Sequence, residues 1–204
     1  MEQYLKSAYY VDSEHPEVQA FAKKVVGDTL DPKAQAIKLY YAVRDGWRYN
    51  PYQVVLAPKE VLKASYLFTK NDGYCIEKAC LLAAAARSVG IPSRLGFSDV
   101  RNHIGTEKLQ ERLRTDVMVF HGYTELYIND KWVKCTPAFN KELCEYLNVA
   151  PLEFNGEEDS IFQEYHNGGG LFMEYLDEHG VFDDVPFDAF VAALKKHYPH
   201  LFGL

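Results

Sequence analysis

The chain has 204 residues, enough to bury a substantial core in one or at most two domains. With 48% hydrophobic and 25% charged residues it has an ordinary globular composition, and a formal net charge of −7 argues against nucleic acid or an anionic membrane surface as partner. No apolar run approaches the ~18 residues of a membrane span, and "MEQYLKSAYYVDSEHPE" lacks the pattern of a secretory leader, so a cytoplasmic protein is expected.

In chain order, "SEHPEVQAFAKKVVG" (13–27) opens on a serine cap candidate and sets Val18, Phe21, Ala22 and Val25 on one stripe, which predicts an amphipathic helix. "DPKAQAIKLYYAVRDG" (31–46) predicts a second, with Asp31 as N-cap, Pro32 at the first helical position and Gly46 as its stop. "APKEVLKAS" (57–65) reads as a short third helix. Cys75 to Val89 reads as a fourth, closed by Gly90 and Pro92 and apolar on most sides, hence buried. The period then changes to two. "RLGFSDV" (94–100), "DVMVFHGYTELYI" (116–128) and "KWVKCTP" (131–137) predict strands, with a polar helix "TEKLQERLR" (106–114) between the first two. Beyond Asn140 the pattern returns to helix in "KELCEYLN" (141–148), "LFMEYLDEHG" (171–180) and "PFDAFVAALKKHYP" (186–199), with loops at "NGEEDS" and "NGGG". Helices followed by an antiparallel sheet predict an α+β fold with a C-terminal helical extension. The expected division is a core over 1–140 and an extension over 141–204 packed on it.

The segment "TELYINDKWVKC" specifies a hairpin around Asn129-Asp130. In that register Ile128 faces Lys131, Tyr127 faces Trp132, Leu126 faces Val133 and Glu125 faces Lys134, which brings an aromatic pair and an opposite-charge pair to one face. Continuing the count, Tyr123 faces Thr136, and His121 becomes the diagonal neighbour of Thr136 on the same face. Such diagonals lie roughly 7–8 Å apart at the backbone, within reach of an imidazole.

Cys75 stands in the first turn of the fourth helix, where unpaired N–H groups and the helix dipole favour a thiolate. The same N–H groups suit an oxyanion. A small buried core residue is the competing reading of Cys75, as a structural or surface residue is of His121. Without a leader the four cysteines (75, 80, 135, 144) are expected reduced. Cys75 and Cys80 diverge around the helix and make no metal clamp. Cys135 falls on the face opposite His121, and Cys144 on a helix stripe. Arg87 and Arg94 read as structural, and the aromatics of "GWRYNPY" (47–52) as core, the alternative being that they wall the substrate cleft. His103, His166, His179, His197 and His200 are scattered and expected at the surface, His179 and His197 in last helical turns.

The combination is more specific than its parts. Gly73-Tyr74-Cys75, Ala79, Arg87, then Gly90-Ile91-Pro92, Arg94 and Gly96 follow in the spacing Gly-x-Cys-(x3)-Ala-(x7)-Arg-(x2)-Gly-Ile-Pro-x-Arg-x-Gly. Downstream, His121 is followed by an aromatic residue and a glutamate on one strand, then by Lys131-Trp132-Val133 and Pro137. Over roughly residues 32–140 this resembles the transglutaminase-like superfamily. The resemblance implies a papain-related core and a thiol mechanism, with Cys75 as nucleophile and His121 as general base and acid. The resemblance implies a peptide, protein or small amide as substrate; no cofactor or metal is expected, since Asn71-Asp72-Gly73 lacks the spaced carboxylates and terminal glutamate of a calcium loop. The family usually has aspartate just before the proline after the "Wv" strand, and here that slot is Thr136. Threonine can accept a hydrogen bond from the imidazole but brings no charge, and a charge-assisted bond is about twice as strong as a neutral one. Asn140 is the other candidate orienter. A thiol hydrolase or acyltransferase is therefore expected, the alternative being a degenerate member that binds a peptide or protein in the same cleft.

Overall fold

The run from Cys75 to Arg87 is buried at every residue, and the remaining elements are arranged around it. The computed structural model describes residues 1–52, 58–103, 107–161, 167 and 169–203. Helices α1 (Pro16–Val26) and α2 (Pro32–Gly46) pack on this central helix. Asp31 caps α2 as expected, its Oδ2 accepting the Ala34 N–H at 2.8 Å. The cap of α1 is His15 rather than a serine. Pro16 sets the start of the helix, and the imidazole Nδ1 of His15 accepts the Glu17 N–H. Strands β1 (Arg48–Tyr49) and β2 (Asp72–Gly73) pair in parallel, setting Tyr49 level with Gly73 just before the nucleophile candidate. Between them, the expected third helix resolves into two 3₁₀ turns, Lys59–Leu62 and Ser65–Thr69, split by extended backbone at Lys63. Ala57 lies outside the described residues.

Helix α3 (Cys75–Ser88) leads into β3 (Ser93–Asn102), α4 (Glu107–Leu113), β4 (Val117–Ile128), β5 (Lys131–Cys135) and α5 (Lys141–Tyr146). Then come β6 (Met173–Phe182) and α6 (Phe187–His197). Four of the described strands form an antiparallel sheet in the order β5-β4-β3-β6, so the α+β class stands. The hairpin register is the one read from the sequence at all four pairs from Glu125↔Lys134 to Ile128↔Lys131. Asn129 and Asp130 both have positive φ (49° and 64°), the two-residue turn whose twist matches that of the strands.

The C-terminal portion is not wholly helical. "LFMEYLDEHG", expected as helix, forms most of β6, which pairs along β3 from Leu95↔Phe182 to Asn102↔Met173. Phe172, Tyr175 and Leu176 are spaced as on a helix face. Edge strands, however, carry charge instead of strict alternation, and β6 ties into the sheet by Arg101–Glu174 and Lys134–Glu178 pairs. Arg87 is structural: its guanidinium donates to the Lys6, Ser93 and Asp183 carbonyls and to Ser93 Oγ. No described helix is long and apolar enough to cross a membrane.

Candidate active site

Tyr74 precedes α3 in extended conformation, and its N–H is accepted by Glu77 Oε2 at 2.7 Å, the glutamate half of a capping box. Lys70 pairs with the other oxygen of Glu77. Cys75 therefore occupies the first turn, as expected, but it is completely buried. The N–H groups of Gly122 and Ile76 and the Tyr74 hydroxyl favour the thiolate. Burial outweighs them, Glu77 adds a like charge, and the thiol is pushed up to about 12. The expectation of a thiolate from helix position alone fails for this reason. The Tyr49 hydroxyl is also buried here without a hydrogen-bond partner among the described residues, and burial together with the nearby Cys75 raises its pKa. Reading "GWRYNPY" as core is right for Trp47, whose Nε1 donates to the Leu67 and Lys70 carbonyls. Tyr49 instead follows the alternative, lying beside the thiol, where the β1–β2 pairing holds it.

His121 and Cys75 meet through the backbone of β4. A Cβ on Gly122 would lie 3.1 Å from Ile76 Cγ1 and 3.2 Å from Ile76 Cα, so glycine lets the strand cross the start of α3 at contact distance. Thr124 reaches the same helix, its Oγ1 donating to Ala79 O at 3.0 Å. Side chains alternate along a strand, so His121 projects to the other face. There it lines a cavity with Thr136, Ala138, Phe139, Leu152, Ile161 and Met173. Cys75 is not on that wall. His121 is 4% exposed, and burial alone lowers its imidazole to about 4.

Thr136 thus shares the cavity with His121, as the register implies. His121 Nε2 and Thr136 Oγ1 are both buried, however, and neither finds a hydrogen-bond partner among the described residues. Asn140 is engaged elsewhere: its Oδ1 accepts the Tyr49 N–H at 3.0 Å and its Nδ2 donates to Glu142. Cys80, Cys135 and Cys144 are buried. His103 and His197 are exposed, and His200 contacts Arg112 O. His166 lies outside the described residues. His179 departs from expectation: it sits in β6, half-buried, with Nε2 2.6 Å from Asp99 Oδ1. Among the described residues no cluster of His, Cys, Asp or Glu is gathered as metal ligands would be.

A buried helix opening on Cys75, crossed by the His121-bearing strand of an antiparallel sheet, is the arrangement of a transglutaminase-like core. The transglutaminase-like superfamily profile matches residues 19–137, more than half of the chain, and the chain belongs to that superfamily. Among solved structures, a proposed cysteine protease from Cytophaga hutchinsonii is similar at 16% identity with a TM-score of 0.51. The match covers 88% of this chain and 53% of that one. The chain therefore spans about half the length of that protein. A proposed protease from Parabacteroides distasonis is similar at 13% identity and a TM-score of 0.40, over 65% of this chain and 24% of that one. No curated protein matches the sequence.

Proposed function

We propose that the chain is a thiol-dependent enzyme that cleaves or transfers an amide or peptide acyl group, with Cys75 as nucleophile and His121 as general base and acid. The observation that carries this reading is that β4 crosses the start of α3 at contact distance at Gly122, the residue after His121, whose N–H favours a charged Cys75 sulfur. In the reaction, the imidazole turns from its cavity toward the sulfur, His121 takes the thiol proton, the sulfur adds to the substrate carbonyl, and the leaving amine departs with the proton from the imidazolium. Water or an amine then resolves the thioester. The Gly122 and Ile76 N–H groups are placed to favour negative charge at this point. We place the protein in the cytoplasm, where cysteine thiols stay reduced.

Burial raises the Cys75 thiol and lowers the His121 imidazole, so the resting pair is neutral. The same burial, with threonine in place of a carboxylate, favours the second reading: a degenerate member that binds a peptide or protein without turnover.

Alkylation of the native protein by iodoacetamide, mapped by mass spectrometry, separates the two. An enzyme shows Cys75 modified ahead of Cys80, Cys135 and Cys144, and slowed by His121→Ala. A Cys75 as inert as the other three in the native state rules out the catalytic reading.

A further inference from the structure

His121 sits immediately after an irregularity in β4. Its partner on β3 is Ser98, while Met118 pairs with Val100, so the single residue Asp99 faces both Val119 and Phe120. This is a β-bulge, a device that sets the direction of the next side chains. Phe120 has φ +55°, the left-handed region that a bulky residue enters only when its surroundings hold it there. Two side chains from distant parts of the chain supply that hold. Asp99, 8% exposed, accepts the Phe120 N–H on Oδ1 at 2.9 Å, and the same oxygen lies 2.6 Å from His179 Nε2. The His179 ring stacks on Phe120, centroids 4.2 Å apart. On the other peptide of the bulge, the buried Tyr198 hydroxyl accepts the Val119 N–H at 2.9 Å and donates to Val117 O at 2.8 Å. The backbone groups that the bulge takes out of the ladder are thus satisfied by a carboxylate and a phenol.

We propose that Asp99 and Tyr198 are positioning residues for His121, holding the bulge that sets the imidazole relative to Cys75; this rests on the function proposed above. The contacts do more than complete a fold, because each is made to the two residues directly before His121 and both bridge from elements β4 does not adjoin in sequence. His179 supports Asp99 by fixing its carboxylate against the Phe120 peptide. Neither residue touches a substrate in this account. Both act through the backbone of the base.

The test combines Cys75 alkylation with ¹⁵N NMR of the His121 ring in the full chain. Asp99→Ala and Tyr198→Phe are expected to slow alkylation about tenfold each, the worth of one well-placed hydrogen bond, and to move the His121 ring resonances. Asp99→Asn, which keeps an oxygen acceptor for the Phe120 N–H, is expected to restore both. If the variants lower only the melting temperature while alkylation and ring resonances stay as in the parent, the positioning role is overturned, although His121→Ala still slows alkylation. If His121→Ala itself leaves alkylation unchanged, the proposed function fails and the positioning role falls with it. Tyr198→Phe keeps the ring and removes only the hydroxyl, so the test survives a poorly folding Asp99→Ala.

Discussion

Lys78 Nζ donates to Ala138 O at 2.8 Å, tying the helix that carries Cys75 to the turn that follows Thr136. The same ammonium donates to Arg44 O at 2.8 Å and Trp47 O at 2.7 Å at the end of α2. It is fully buried, with no carboxylate bonded to it among the described residues, and burial pulls it down to about 7. Three segments around the site are therefore held by one side chain.

Lys78→Met keeps the bulk and removes all three donors, leaving three carbonyls unpaired. We expect a loss of about 3 kcal/mol or more in urea unfolding, at the low end of the cost of three orphaned polar groups. An unchanged unfolding midpoint would mean that the carbonyls find other partners and that this junction is not the tie described.

His121 makes stability pH-dependent in a defined window. Its folded value is about 4 against an ordinary 6.5, so between those values the unfolded chain binds the extra proton. Its contribution is complete above pH 6.5 and is lost as pH falls through 4, by about 3 kcal/mol. His121→Gln should flatten the stability profile across that window, measured by unfolding at several pH values.

Thr136→Asp puts a carboxylate into the cavity that His121 lines. The site is 4% exposed, so the new charge should raise the imidazole from about 4 by pairing with its protonated form. The His121 ring resonances should titrate at higher pH than in the parent, and Cys75 should alkylate faster. A ring titration that does not move would remove Thr136 from the orienting place.

Gly122→Ala places a methyl against Ile76 backbone and side chain at 3.1–3.2 Å. Overpacking of this kind costs typically 1–3 kcal/mol. Because the contact is at the first turn of α3, the variant should also alter Cys75 reactivity, whereas a substitution of similar cost on α1 should not.

How far the sequence carried the fold depends on how local each signal was. The β4–β5 hairpin was legible pair by pair because the alternation and the Asn129-Asp130 turn lie within a dozen residues. The placement of Cys75 at a helix start was legible for the same reason. Its protonation was not, since burial is set by β4 crossing above it and by Tyr49 and Tyr74 closing around it. The strand β6 was misread because Phe172, Tyr175 and Leu176 fit a helical stripe, and only pairing with β3 reveals the extended form. Asp99 and Tyr198 carried no motif. Their partners are 21 and 79 residues away, on a bulge that no local pattern announces.

The sheet order has a consequence for how the chain matures. Strand β3 has β4 on one side and β6 on the other, and β6 begins at Met173, long after the thiol and imidazole have been synthesised. A nascent chain released from the ribosome only as far as Asn140 would hold both chemical groups but present β3 with a bare edge, a template for pairing with other chains. Tyr198 arrives later still. Strand β6 is thus the part that commits the sheet, and a product stalled before it should be lost to aggregation before it could act as a reactive thiol.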